Sequence, residues 1–258
     1  MGTAHHQGRT HPRLQRTLTG ASAGAGGAGG RSPIYGRRRG RRLRRGRSEL
    51  LETLLPEVAV RLPPAPASLD PRGLFARPVG RIWLEIGFGS GEHLAAQAGA
   101  DDTIGFIGAE PYVGGVAKLL GSIRRMGLDN VRVFADDGRV LLEALASASI
   151  ARAFLLFPDP WPKKRHHKRR FVTRENLDSL ARVLEDGAEL RMATDDKGYI
   201  GWILERVTRH PAFDWPAAGP SDWRLRPPDW PGTRYEAKAA AEGRSATFLR
   251  FRRRSRGG

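Results

Sequence analysis

The chain has 258 residues, a formal net charge of +17 and no cysteine. The missing thiols exclude disulfides, thiolate metal sites and cysteine nucleophiles, while a 40% hydrophobic content can bury a sizeable core. No apolar run approaches the roughly 18 residues of a membrane span and no signal-peptide-like stretch opens the chain, so a soluble cytoplasmic protein is expected.

The charge is unevenly spread. Residues 1–48 hold twelve arginines and no acid, and subtracting those twelve from +17 leaves +5 for residues 49–258. Residues 1–33 are low-complexity, with too little apolar surface to offset their ordering entropy, and are expected to form a disordered tail. Residues 34–47 form an Arg-rich arm whose like charges keep it extended until it meets phosphates. Ser48 stands at the N-cap of a short helix carrying Leu50, Leu51, Leu54 and Leu55, which Pro56 ends. The Pro-rich segment 61–71 reads as a connection.

From Arg81 the pattern is regular. Strands are predicted at 82–86, 104–109, 131–135, 151–157 and 187–192, with a late alternating strand at 246–252. Helices are predicted at 92–99, from Pro111 to about Met126, at 138–146, from a Thr173 cap to about Leu184, and at 197–208. Strands alternating with helices predict an α/β fold with a mostly parallel sheet, helices on both faces and an antiparallel late strand. The domain is expected to span residues 48–253, followed by a basic tail at 254–258.

Ligands in such a sheet sit at the carboxyl ends of the strands. The first turn, Glu85-Ile-Gly87-Phe-Gly89-Ser-Gly91, departs from the dinucleotide spacing, because Glu92 stands where the third glycine belongs. Glu85 would also repel a pyrophosphate. Acids follow the next two strands as well, at Glu110 and at Asp136-Asp137. After the fourth strand, Pro158-Asp159-Pro160-Trp161-Pro162 can continue neither strand nor helix. Lys163 to Arg170 then places six Lys/Arg and two His in succession, the footprint of a polyanion-binding loop. His166 and His167 lack an acidic partner at ligand spacing, so no metal is expected. Asp159 also suits a turn, Trp161 the core, and Asp195 or Asp196 the cap of the following helix. Trp202, Trp215, Trp223 and Trp230 read as packing residues, and the Pro-rich 211–231 stretch as an insertion.

The acid-x-Gly-x-Gly-x-Gly turn resembles the first motif of class I S-adenosylmethionine-dependent methyltransferases, which implies a Rossmann-like fold. On that resemblance Gly87, Gly89 and Gly91 let the backbone approach S-adenosyl-L-methionine. Glu85 holds its ammonium end, Glu110 meets the ribose hydroxyls, and Asp136 or Asp137, with Asp137 favoured, meets the adenine amino group.

Phe157 to Arg170 closely resembles the P-D-P-W…K-x-R-H-x-K-R-R signature of the tRNA (guanine-N7-)-methyltransferase family. Leu84 to Gly91, Ala193-Thr194-Asp195 and Thr233-Arg234-Tyr235-Glu236 match further motifs in order, and the resemblance covers about residues 34 to 253. One departure is that Ala237 to Glu242 stand where family members usually carry a glycine. The resemblance implies methyl transfer to N7 of guanine 46 in the tRNA variable loop. Asp159 is then the catalytic residue at the donor site, and Lys163, Asp195 and Thr233 to Glu236 contact the substrate nucleotide. Arg165, His166, His167, Lys168, Arg169 and Arg170 hold the tRNA backbone. A methyltransferase for another RNA and a non-catalytic RNA-binding protein on the same fold are the competing expectations. A monomer is favoured.

Overall fold

The computed structural model describes Arg38, Gly40, residues 42–232, Glu236, Ala237 and residues 241–257. The low-complexity tail, part of the Arg-rich arm, and Thr233, Arg234 and Tyr235 lie outside the described residues. Two helices, α1 (Arg45–Thr53) and α2 (Leu55–Val58), precede an alternation of β1 (Arg81–Ile86), α3 (Glu92–Ala100), β2 (Ile104–Ala109), α4 (Val113–Met126), β3 (Val131–Phe134), α5 (Gly138–Ala144) and β4 (Ile150–Leu156). The chain continues through α6 (Arg174–Val183), β5 (Leu184–Thr194), α7 (Lys197–Thr208), β6 (Phe213–Asp214), α8 (Ser221–Arg224) and β7 (Thr247–Arg253).

The seven strands form one sheet in the order β3-β2-β1-β4-β5-β7-β6. β1 to β5 pair in parallel, and β7 runs antiparallel to β5 and β6. The order reverses between β1 and β4, which pair from Trp83↔Arg152 to Ile86↔Leu155. Strands buried on both faces explain the near-continuous apolar runs, such as Ile104 to Ala109, where all six residues are buried.

Alternate side chains feed opposite layers. Leu84, Ile86, Leu155, Leu190 and Met192 pack with residues of α5, α6 and α7. Phe106, Val131 and Val133 face the other way, with α1, α3 and α4. Over β4, β5 and β7 that second layer includes, among the described residues, a non-helical segment together with His93 of α3, which packs on Phe154. Phe154, Leu156, Ala193 and Phe248 are capped by Trp230, which is 2% exposed. Arg152 and Arg191 each pair with both Glu189 and Asp229, at 2.7 to 3.4 Å, so the segment around Trp230 is also held electrostatically.

Several boundaries differ from expectation. Ser48 does not cap α1, which begins three residues earlier with Arg44 at its N-cap and no side-chain cap. Arginines in a first turn oppose the helix dipole, but burial of Leu50 against α4 outweighs that small term. Pro56 starts α2 rather than ending a helix. Pro111 precedes α4, whose N-cap is Tyr112. β5 begins at Leu184, directly after α6, and β6 follows no recognisable pattern, being two residues long. Thr173 does cap α6, its hydroxyl accepting from Asn176 N at 3.3 Å.

The C-terminal arginines are structural. Arg256 Nη2 donates to the carbonyls of Ala181, Arg182 and Leu184 at 2.7 to 3.0 Å, and Arg253 Nε donates to Ala181 O at 2.8 Å. They satisfy the orphan acceptors at the end of α6.

Trp230→Ala should cost about 3–5 kcal/mol of unfolding free energy, the range for emptying an aromatic core position. Urea titration should show a lower midpoint at unchanged slope. Leu225→Ala, at a site 66% exposed, should move the midpoint little.

Candidate active site at the β1 and β4 strand ends

The reversal of strand order opens a cleft of about 350 Å³ at the carboxyl edge of the sheet, lined by the turns after β1, β2, β3 and β4. Glu85, Gly87, Gly89, Glu110, Asp137 and Asp159 all line it. Asp136 does not; it pairs with Arg38 and accepts from Asp137 N at 2.8 Å.

The first turn needs glycine for a stated reason. Gly87, Gly89 and Gly91 have φ of +72°, +57° and +73°, a region costing other residues about 1–2 kcal/mol each. The turn also sits against α4, where a β-carbon at Gly115 would collide with Gly89 O. A β-carbon at Gly91 would likewise collide with Leu119 of α4; Gly91 itself stands outside the cleft lining.

Each acid is held by a different device. Glu85 is 5% exposed, and its Oε2 lies 2.7 Å from His93 Nδ1. Glu110 is 8% exposed and accepts from Gly89 N through Oε2 and from Tyr112 N through Oε1, both at 2.8 Å. Burial pushes its carboxyl above the usual range, against those two N–H groups, and the charges of Asp159 and Glu85 push the same way. Asp137 caps α5 by accepting from Arg139 N at 3.0 Å and is gripped by the Arg139 side chain at 2.6 to 3.1 Å.

Asp159 is exposed at the cleft mouth, within the segment Pro158-Asp159-Pro160. Phe157 and Trp161 flank that segment with φ of +49° and +43°. Two non-glycine residues in the left-handed region are held strain, which persists where the surroundings fix it. Arg169 lies over the Trp161 ring at 4.9 Å, and His166 meets its edge at 5.8 Å.

Lys164 to Arg169 form a 3-10 turn that leaves Lys163, Lys164, Arg165 and Lys168 exposed. Partial desolvation, then Arg169, Arg165, Lys163 and Lys168, hold the His166 ring below its ordinary value. His167 packs edge-on against Trp202 at 5.2 Å. Arg170, grouped with the phosphate contacts by its place in the run, is instead 5% exposed. Its Nε donates to Pro160 O at 2.7 Å, and its guanidinium stacks on Trp202 and Tyr199 at 4.6 and 5.2 Å. It fixes the loop that carries Asp159 rather than facing solvent.

Asp196 caps α7, accepting from Tyr199 N at 2.7 Å. Asp195 pairs with Arg244, and Glu236 with Arg226 at 3.9 Å. Lys163, Asp195 and Glu236 stand outside the cleft lining. Sequence reasoning missed His93, Tyr112 and Arg139, which all line the cleft. Arg139 was findable as a cation two residues after a capping acid, whereas nothing local marks His93 as the partner of Glu85.

The residues fit S-adenosyl-L-methionine. The carboxylates of Glu85, Glu110, Asp137 and Asp159 around a cleft with a glycine-rich turn suit a ligand with an ammonium, a sulfonium, two ribose hydroxyls and an adenine amine, and repel a phosphate. Among the described residues no group of three His, Cys, Asp or Glu could hold a metal, and no helix is long and apolar enough to cross a membrane.

The fold and cleft are those of a class I S-adenosylmethionine-dependent methyltransferase. A solved 16S rRNA methyltransferase, KamB, shares the fold with a TM-score of 0.50 at 14% identity, over 69% of this chain and 89% of its own. A sequence family described as "Putative methyltransferase" matches residues 80–249. A tRNA (guanine-N(7)-)-methyltransferase of Rhodospirillum rubrum is 54% identical over 227 residues, 86% of this chain and 88% of that protein. Proteins of the same name are 51% identical in Roseobacter denitrificans, over 84% of this chain and 94% of the relative, and 48% identical in Brucella melitensis, over 86% and 94%. The chain belongs to the tRNA (guanine-N(7)-)-methyltransferase family.

The raised carboxyl of Glu110 makes a signed prediction. The folded state binds its proton more tightly than the unfolded state, so that contribution to stability is present at acid pH and lost as pH rises through the raised value. Measured against wild type, the urea midpoint of Glu110→Gln should therefore improve between about pH 4 and about pH 7. A decline over that interval would show the opposite shift.

Proposed function

We propose that this protein methylates N7 of guanine 46 in the variable loop of tRNA, using S-adenosyl-L-methionine, and that it does so in the cytoplasm. The single observation that carries the reading is the position of Asp159, which lies in the cleft with Glu85 and Glu110 while the loop it belongs to continues into the exposed cations from Lys163 to Arg169.

When bound, S-adenosyl-L-methionine supplies an electrophilic methyl group on a sulfonium. Glu85 orients the ammonium end, Glu110 the ribose and Asp137 the adenine amine. Guanine N7 carries a lone pair and no proton, so the protein needs no strong general base. As the N7–methyl bond formed and the sulfur–methyl bond broke, its electron pair staying on the neutral thioether that leaves, the positive charge would pass to the guanine ring, where the Asp159 carboxylate would stabilise it or accept from the guanine N1–H and amino groups. Orientation and fixed electrostatics are the two effects available, and both need a rigid carboxylate. The strained turns at Phe157 and Trp161 and the Arg170 bond to Pro160 O supply that rigidity.

Arg165, His166, His167, Lys168 and Arg169 are assigned to the tRNA backbone, and Trp161 to stacking on a splayed base, worth roughly 1–3 kcal/mol. Lys163, Asp195, Thr233, Arg234, Tyr235 and Glu236 are assigned to the substrate nucleotide. We assign residues 48–253 to the catalytic domain and 254–258 to a basic tail; the expectations for residues 1–33, and for part of 34–47, lie outside the described residues.

Asp159→Ala should cut methyl transfer severely, read as label moved to unmodified tRNA and located by chain cleavage specific for 7-methylguanosine, while cofactor binding stays near wild type. Full activity would sink the assigned role. Neutralising Lys163, Arg165 and Lys168 together should weaken tRNA binding and reduce the salt slope by about 2 to 3. An unchanged slope would place the loop off the RNA.

A further inference from the structure

The β1 carboxylate is not left to orient itself. Its partner, His93, sits in the first turn of α3, two residues after Gly91, and is 3% exposed. Phe154 and Trp230 wall the ring, with centroids 4.7 and 6.0 Å away. Nδ1 faces Glu85 Oε2 at 2.7 Å, and Nε2 faces the Gln97 side-chain nitrogen at 3.4 Å. That same nitrogen donates to Asp229 O at 2.9 Å. The order of donors follows. A backbone carbonyl can only accept, so the Gln97 amide must turn its NH2 toward Asp229. The second amide hydrogen then points at His93 Nε2, which must be the unprotonated nitrogen. The ring proton is left on Nδ1, aimed at Glu85.

We propose that His93 is a positioning residue for methyl-donor binding, held as its Nδ1–H tautomer by a hydrogen-bond chain from Asp229 O through Gln97. The proposal rests on the assignment of Glu85 to the ammonium end of the donor. The chain occupies Glu85 Oε2 and leaves the other oxygen to the cleft. It also crosses from the insertion that precedes the Thr233–Glu236 motif to the donor site. The insertion is anchored there by Trp230 and by the Asp229 ion pairs with Arg152 and Arg191. Donor-site geometry is thereby tied to correct seating of an acceptor-side segment.

The test is equilibrium binding of S-adenosylhomocysteine and of methylthioadenosine to the full chain as wild type, His93→Leu and His93→Asn. The first ligand carries the amino acid end that Glu85 meets, and the second lacks it. His93→Leu should weaken S-adenosylhomocysteine about tenfold or more, the scale of one hydrogen bond to a charged group, and leave methylthioadenosine within about twofold. His93→Asn, whose amide nitrogen falls near the Nδ1 position, should restore most of the loss. Equal weakening of both ligands would mean a packing role and overturn the proposal, as would an Asn variant no better than Leu. Wild-type protein that binds methylthioadenosine but gains nothing from the amino acid end would overturn the Glu85 assignment itself, and the proposal with it. Retained methylthioadenosine binding also reports that the Leu variant is folded.

Discussion

Parallel pairing of β1 with β4 is the constraint on which the site depends. The two strands are separated by some seventy residues of sequence but lie side by side, with Glu85 opposite Phe154 and Ile86 opposite Leu155. Both chains therefore leave the sheet at the same edge, one into the glycine turn and the other into Pro158-Asp159-Pro160. Strand order reverses at this pair, so the helices that follow diverge and open the cleft between them. Register is as important as adjacency. A slip of one residue would turn Glu85 from the His93 side to the opposite layer, occupied by Leu84 and Ile86.

That geometry concentrates negative charge in a protein that is otherwise strongly basic. Glu85, Glu110, Asp137 and Asp159 share one cleft, and mutual repulsion adds to burial in raising the Glu110 carboxyl. The folded protein offsets the cost with separate donors: an imidazole for Glu85, two backbone N–H groups for Glu110, and a helix N-terminus with Arg139 for Asp137. Residual negative potential inside and exposed cations outside sort ligands by charge. A cationic donor is favoured within the cleft, and a polyanion is favoured at its rim. On the proposed reading the donor and the tRNA would meet between Asp159, in the cleft, and Lys163, outside its lining.

Most of the fold was legible because periodicity reports burial directly. The six-residue apolar strand β2, the Thr173 cap and the α7 limits were all recoverable from pattern alone. The glycine turn was legible because left-handed φ at three alternating positions admits almost no other residue. What failed had no local signal. Ser48 is no cap because α1 begins at Arg45, with Arg44 at its N-cap and no side-chain cap. Trp230 packs in the core as expected, but its partners on β4, β5 and β7 and the bond from Gln97 to Asp229 O, 132 positions apart in the chain, have no local signal. His93 lies only eight positions from Glu85, but nothing in the sequence pattern marks it as a partner, because only the folded turn brings the two side chains together.

Positive charge shows the limit of composition most clearly. The basic run at 163–170 and the arginines at 250–256 look alike in sequence, yet guanidinium groups are bound by whichever acceptor the fold presents. Arg256 meets three helix-end carbonyls, Arg253 one, and Arg170 the carbonyl of Pro160. Arg191 and Arg152 meet Glu189 and Asp229. Each of these is engaged with the protein before any RNA arrives, and a phosphate would have to displace a bond already made. Lys163, Lys164, Arg165 and Lys168 stay exposed on a 3-10 turn whose base is pinned by Arg170. On the proposed reading these exposed cations would meet the RNA, and the buried Arg170, bonded to Pro160 O, holds their loop to the segment that carries Asp159.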